Sequence, residues 1–293
     1  MSPPGKLLLG LPGWAHAPWR GTLYTRDARR EDFLGQYARV FGAIEGNTTF
    51  YAVPKAETVA RWAAEAPADL RFCLKFPKAI THERQLVGAD AETRAFLERV
   101  APLGARLGPF FLQLPDHFSA GRLKALEACL RALPREHAFG VEVRHPDFFD
   151  GGAHERALDA LLGELGMERV NFDTSVIHAS AAGDAHTLES QRRKPRVPRR
   201  TTAIGQRPFV RYVGDPVIEA NEAPMAAWAD IVARWLAEGR TVYFFVHHPN
   251  DDFAPPLARR FQALLHERSR CVPPPAPWPG ETERPAARQL DLL

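Results

Sequence analysis

Short apolar runs alternate with segments of helical period along nearly the whole chain. Runs rich in Val, Ile, Leu and Phe fall at 6–11, 42–47, 71–76, 110–114, 139–144, 169–173, 209–213 and 241–247, and most close on a polar, Pro or Gly residue. Continuous apolar runs of this length suit strands buried on both faces, as in a parallel sheet. Between them the period becomes that of an amphipathic helix. Phe33, Leu34, Tyr37 and Phe41 share one face of 31–41, and Val59, Trp62 and Ala63 share one face of 55–66. Further helices are predicted over 91–100, 120–132, 154–165, 224–237 and 255–266, the last announced by Asp251 and Asp252 before a proline pair. Eight strands alternating with helices predict one (β/α)8 barrel of the TIM type. A doubly wound sheet would open on a glycine-rich turn, and GLPGWAHAPW lacks the GxGxxG spacing.

The pattern breaks twice. Residues 175–208 show no clean helix and contain a dense positive run, Arg192, Arg193, Lys194, Arg196, Arg199 and Arg200. An irregular stretch of this length between strands six and seven is expected to be functional or mobile, either a solvated loop or a contact for a phosphate backbone. From Cys271 the chain reads PPPAPWPGETERPAAR, too proline-rich for a core. The expected division is a barrel over 1–268 and a flexible tail over 269–293.

Bulk composition narrows the class only a little. The chain of 293 residues is 45% hydrophobic and 25% charged, enough for a sizeable core. A net charge of +3 does not establish nucleic-acid binding. Cys73, Cys129 and Cys271 lie far apart without CxxC spacing, which argues against a disulfide framework or a zinc knuckle. No run is long enough for a membrane span, so a soluble cytoplasmic protein is expected.

In such barrels the active site lies at the C-terminal strand ends, and here those ends are polar. Glu45 and Asn47 share a parity in strand two; Lys75 and Gln113 end strands three and four; Glu142 and Arg144 share a face of strand five, followed by His145. Asp173, Arg211 and the pair His247-His248 end strands six to eight. Alternation predicts that Glu45, Lys75, Glu142, Arg144, Asp173 and Arg211 converge inside the mouth. Lys75, Arg144 and Arg211 are suited to hold an anion, and Glu45, Glu142 and Asp173 to transfer protons. The carboxylates with His247 form an alternative set for a divalent metal, and a satisfied structural ion network is the non-catalytic alternative. Trp14, Trp19, Tyr24, Phe50 and Tyr51 crowd the same end, to cover the mouth or to stack on a ring of a ligand. Lys78 and His82, just past strand three, extend the cationic rim.

Taken in order, GLPGWAHAPWRG, VFGAIEGNTTFYAVPKAETVARW, RFCLKFPKAITHE, FFLQLP, FGVEVRHPDFF and QRRKPRVP resemble the domain-of-unknown-function family number 72, the YecE-like proteins. The resemblance reaches to about His266 and implies a TIM-type barrel without supplying a reaction. Its strand-two motif falls on Glu45, Asn47, Thr49, Phe50 and Tyr51, and its strand-five motif on Glu142, Arg144 and His145. Many members carry an Asn pair where this chain has His247-His248, a departure at strand eight. The last residues, Gln289, Leu290, Asp291, Leu292 and Leu293, resemble the peptide by which bacterial polymerases and repair proteins bind the replication sliding clamp. The expected function is therefore a hydrolase or lyase acting on a phosphate-bearing substrate, nucleic acid included. The alternatives are an isomerase or hydrolase of a small sugar or sugar phosphate, and a non-catalytic nucleic-acid or clamp adaptor. No cofactor is called for.

Overall fold

The structure, a computed structural model, describes residues 5–282. Eight strands follow the predicted runs: β1 (Lys6–Leu11), β2 (Ala43–Gly46), β3 (Arg71–Leu74), β4 (Phe110–Gln113), β5 (Phe139–Glu142), β6 (Glu168–Asp173), β7 (Phe209–Val213) and β8 (Thr241–His247). All pair in parallel, in the order β3-β2-β1-β8-β7-β6-β5-β4. The ring closes between β3 and β4, where Phe76 N donates to Phe111 O at 3.0 Å and Gly108 N to Phe72 O at 2.9 Å. This is the predicted (β/α)8 barrel.

Around it run α1 (Phe33–Tyr37), α2 (Thr48–Tyr51), α3 (Ala56–Glu65), α4 (Asp90–Val100), α5 (Leu123–Ala132), α6 (Ala153–Leu165), α7 (Ser175–Ala179), α8 (Ala185–Arg193), α9 (Glu222–Ala237), α10 (Ala254–His266) and α11 (Pro279–Thr282). The apolar faces that predicted the longer helices are the faces they bury, such as Val59 and Trp62 of α3 or Leu257 and Phe261 of α10.

The barrel interior is layered. Leu8, Ala43, Cys73, Phe111, Val170, Phe209, Tyr243 and Phe245 fill its lower part as a separate buried cluster. Gly10 is required where β1 meets β2, because a Cβ there would lie 2.1 Å from Ala43 O. Following inward parity upward from this plug leads to Glu45, Lys75, Gln113, Glu142, Phe172, Arg211 and His247.

Two expectations need correction. Residues 175–208 are not wholly irregular, since α7 and α8 occupy much of them. Asp184 caps α8 by accepting from Thr187 N at 3.0 Å. The helix was hidden because it is polar nearly all round, with Leu188 half exposed, so no amphipathic stripe marks it. The proline-rich stretch after Cys271 does join the barrel. Val272 and Trp278 are buried, Arg259 lies 4.1 Å from the Trp278 ring centroid, and Glu281 accepts from Arg259 at 2.5 and 2.7 Å. Prolines that cannot enter a sheet can still deliver one large aromatic to a surface groove. The clamp-like residues Gln289, Leu290, Leu292 and Leu293 lie outside the described residues.

Candidate active site at the barrel mouth

The strand ends build a buried ion network. Arg211 donates to Glu45 through Nε at 2.8 Å and Nη2 at 2.7 Å, and through Nη1 to Glu142. Arg144 donates from Nε to Glu142 at 2.8 Å and from Nη2 to the Gln113 carbonyl oxygen at 2.7 Å. That same oxygen accepts from Lys75 Nζ at 2.8 Å. His247 Nε2 lies 3.0 Å from Glu45 Oε2, and Asn47 donates to Glu45 Oε1 at 2.7 Å. Glu45 and Glu142 are fully buried; Lys75, Gln113, Arg211 and His247 keep only a sliver of surface.

Burial opposes ionisation of both glutamates, but Arg211 with His247 holds the Glu45 carboxyl well below the usual range. Arg211, Arg144 and Lys75 likewise lower Glu142. Because Glu45 is an anion, it accepts the Nε2 proton of His247, which makes Nδ1 the basic nitrogen of that ring.

The network alters the roles expected of its members. Arg211 has every guanidinium nitrogen committed to carboxylates, so it is a strut and not an anion ligand. Glu45 and Glu142 are its counter-ions, and the carboxylates a divalent cation would need are taken by arginine. Among the described residues no group of three or more His, Cys, Asp or Glu side chains is placed to hold a metal.

Lys75 is different. Among the described residues it has no carboxylate partner, and besides Gln113 its ammonium meets the face of Phe50, 3.7 Å from the ring centroid. Burial, then the charges of Arg211 and Arg144, lower its pKa to about 7, against the pull of Glu142 and Glu45. His82 packs edge-on against the same Phe50 ring at 4.9 Å. Burial and the positive charges of Lys75, Arg144 and Lys78 lower its pKa to about 4, so it is neutral. Thr49, buried beneath, donates to Lys75 O at 2.6 Å and fixes the end of β3.

A second amine comes from the basic run. Lys194 donates to Ser190 Oγ at 2.8 Å and forms no ion pair among the described residues. Burial and the charge of Arg211, then that of Arg144, lower its pKa to about 8 against the pull of Asp251, so it feels the same positive charges that line the mouth. Four other members of the run are engaged elsewhere. Arg192 and Arg193 pair with Glu189, Arg199 lies over Trp228, and Arg200 donates to Glu155 and to Phe149 O.

Several expected site residues stand elsewhere. Asp173 points out of the barrel: its carboxylate accepts from Trp228 Nε1 at 2.7 Å and from Ser175 N at 2.9 Å. On β6 the polar set Arg169, Asn171 and Asp173 faces outward, and Phe172 faces in beneath Arg144 and Arg211 at 5.1 and 4.8 Å. The reason lies outside β6, where Glu155, Thr202 and Trp228 satisfy these polar groups. His145 caps the turn over Pro146–Phe149 through Asp147 N. Trp14 packs edge-on against Trp62 and Phe72 as part of the wall. Tyr51 is largely exposed, and Lys78 pairs with Glu83 at the surface.

A cavity of about 770 Å³ opens beside the network and not onto it. Trp14, His16, Trp62, Lys55 and Arg61 are among its lining residues, and no member of the buried network is. The buried ion-paired groups and the desolvated Lys75 sit in the mouth, which makes the mouth the candidate site.

Fold and site together define a (β/α)8 barrel with a cationic, ion-paired C-terminal mouth. The chain belongs to the family described as "Protein of unknown function DUF72", whose model matches residues 8–281. It is 38% identical over 251 residues to the UPF0759 protein YecE of Escherichia coli, covering 86% of this chain and 89% of that protein. Its fold resembles crystal structures of DUF72 family proteins from Thermotoga maritima (TM-score 0.68, 19% identity, 89% of this chain and 99% of that one) and Enterococcus faecalis (0.67, 20%, 89% and 98%). No helix of the described residues is long and apolar enough to cross a membrane.

Proposed function

We propose that the barrel mouth is the active site of a hydrolase or lyase acting on a small phosphate-bearing molecule. One observation carries the reading: once the ion pairs of the mouth are assigned, Lys75 remains, among the described residues, without a carboxylate and shares the Gln113 oxygen with Arg144, whose charge also reaches the unpaired Lys194. Buried cations left over from an ion network are costly unless an anion completes them. Arg144 and Lys194 hold the phosphate; Lys75 and His247, the latter oriented by Glu45, move protons. The burial of Lys75 and His247 favours a small substrate over a polymer, as does the engagement of Arg192, Arg193 and Arg200 with glutamates.

Inorganic phosphate should raise the melting temperature by mass action. The double variant Arg144→Ala with Lys194→Ala should lose that shift, and Arg192→Ser with Arg193→Ser should keep it. Loss in the second pair instead of the first would move the anion to the surface run and overturn the reading.

A further inference from the structure

We infer that Lys75 is a nucleophile, its amine condensing with the carbonyl carbon of a small aldehyde or ketone whose anionic group lies against Arg144 and Lys194. The inference deepens the proposed lyase reading and rests on it for the position of the anion. Its geometry is specific to Lys75. Both carboxylates of the mouth are committed to arginines, and the side-chain acceptor given to the lysine is the neutral Gln113 amide, itself shared with Arg144. On another side lies the face of Phe50, a weak partner for an ammonium and no obstacle to a neutral amine. A lysine meant only to bind phosphate gains nothing from this, whereas desolvation beside other cations keeps a lysine amine neutral and reactive. The direction of its ionisation agrees.

The step balances without a redox partner. The Nζ lone pair forms a bond to the carbonyl carbon, and the carbonyl oxygen takes up a proton. One Nζ proton is released to leave the neutral carbinolamine. A second proton on its hydroxyl lets that oxygen leave as water, and the nitrogen lone pair closes the C=N bond of the protonated imine, which keeps the other Nζ proton. Neutral His82, on the same Phe50 ring, and His247 Nδ1 are the proton carriers at hand. The imine then withdraws electrons from the adjacent carbon, which is what a lyase needs to break a bond there.

The test is reductive trapping on the full chain. The protein is mixed with dihydroxyacetone phosphate or with pyruvate, sodium borohydride is added, and the modified lysine is located by peptide mass spectrometry. Hydride adds to the imine carbon and leaves a stable secondary amine. At neutral pH Lys75 should be labelled on the order of a hundredfold more than exposed lysines, whose amines are almost wholly protonated. Lys75→Met should abolish the adduct, with its melting curve showing that it is folded, and inorganic phosphate should compete in the wild type. A phosphate-dependent melting shift with no preferential label from either carbonyl would overturn the nucleophile and leave the anion site standing. A Lys75 adduct indifferent to phosphate, without a melting shift, would keep the nucleophile and remove the anion site. Preferential labelling of Lys194 or Lys78 would also overturn the inference.

Discussion

Arg211 on β7 and Glu45 on β2 meet across the barrel in two parallel hydrogen bonds of 2.8 and 2.7 Å, although 166 residues separate them in sequence. Planar, forked geometry of this kind is what guanidinium and carboxylate do best, and lysine cannot reproduce it. Removing one side leaves the other charged and dry. Arg211→Met should therefore destabilise the fold by about 3–5 kcal/mol, measured by urea unfolding. A loss below about 1 kcal/mol would mean the pair is no strut.

Acid should act through the same pair. Glu45 and Glu142 titrate below their unfolded range, so their contribution is fully present above the unfolded carboxylate pKa. It is lost as pH falls through the lower folded values. Unfolding free energy should decline from about pH 5 downward, and Glu45→Gln should flatten the decline while lowering stability near neutrality.

Lys75 tilts the pH dependence in the same direction, but through a penalty rather than a gain. Its folded pKa, near 7, lies below the unfolded value, so between these values the unfolded chain binds more protons and stability rises with pH. Below pH 7 the buried ammonium carries its full penalty. Lys75→Met should then raise stability near neutrality, on the order of a few kcal/mol, while removing the reactive amine, a trade familiar at functional sites. A destabilised Lys75→Met with native-like spectra would refute the sign.

Asp173 belongs to the frame. Asp173→Asn weakens the bond from Trp228 Nε1 and should cost about 1–3 kcal/mol without altering the phosphate-induced melting shift. A lost shift with unchanged stability would return Asp173 to the site.

Trp278 tests the packing of the proline-rich stretch. Trp278→Ala removes a buried ring and the surface beneath Arg259, and should cost about 3 kcal/mol in thermal or urea unfolding. No loss would restore the stretch to a tether.

The barrel was legible because each strand is a dense apolar run followed, after all but β6, by a helical period. Alternation placed Glu45, Lys75, Glu142, Arg144 and Arg211 correctly. It failed on β6, where both parities carry polar residues and the choice depends on Trp228 and Thr202, far away in sequence. Lys194 was visible only as one charge in a basic run. Nothing local distinguishes it from Arg193; its half-buried position in the fold does, where Arg193 is exposed. Nor does sequence tell which cation of the mouth lacks a carboxylate, because that depends on how two glutamates are shared among three strands.

The contacts that complete the mouth join distant parts of the chain: Glu45 with His247, His16 with Asp252 at 2.5 Å, and Trp19 Nε1 with Asp251 O at 2.9 Å. During synthesis from the N-terminus, Glu45 and Lys75 therefore emerge long before Arg211 and β8 exist to receive them. Contacts of such range form late, and partly built parallel sheets are prone to stick to one another. Until β7 and β8 arrive, the unpaired edges are those of β1 and β6, and Glu45 and Lys75 stay hydrated on the open inner face of the part-built sheet, where the cost of drying them opposes packing against another apolar surface. The side chains that make the finished mouth expensive to dehydrate thus serve the nascent barrel as its protection against aggregation.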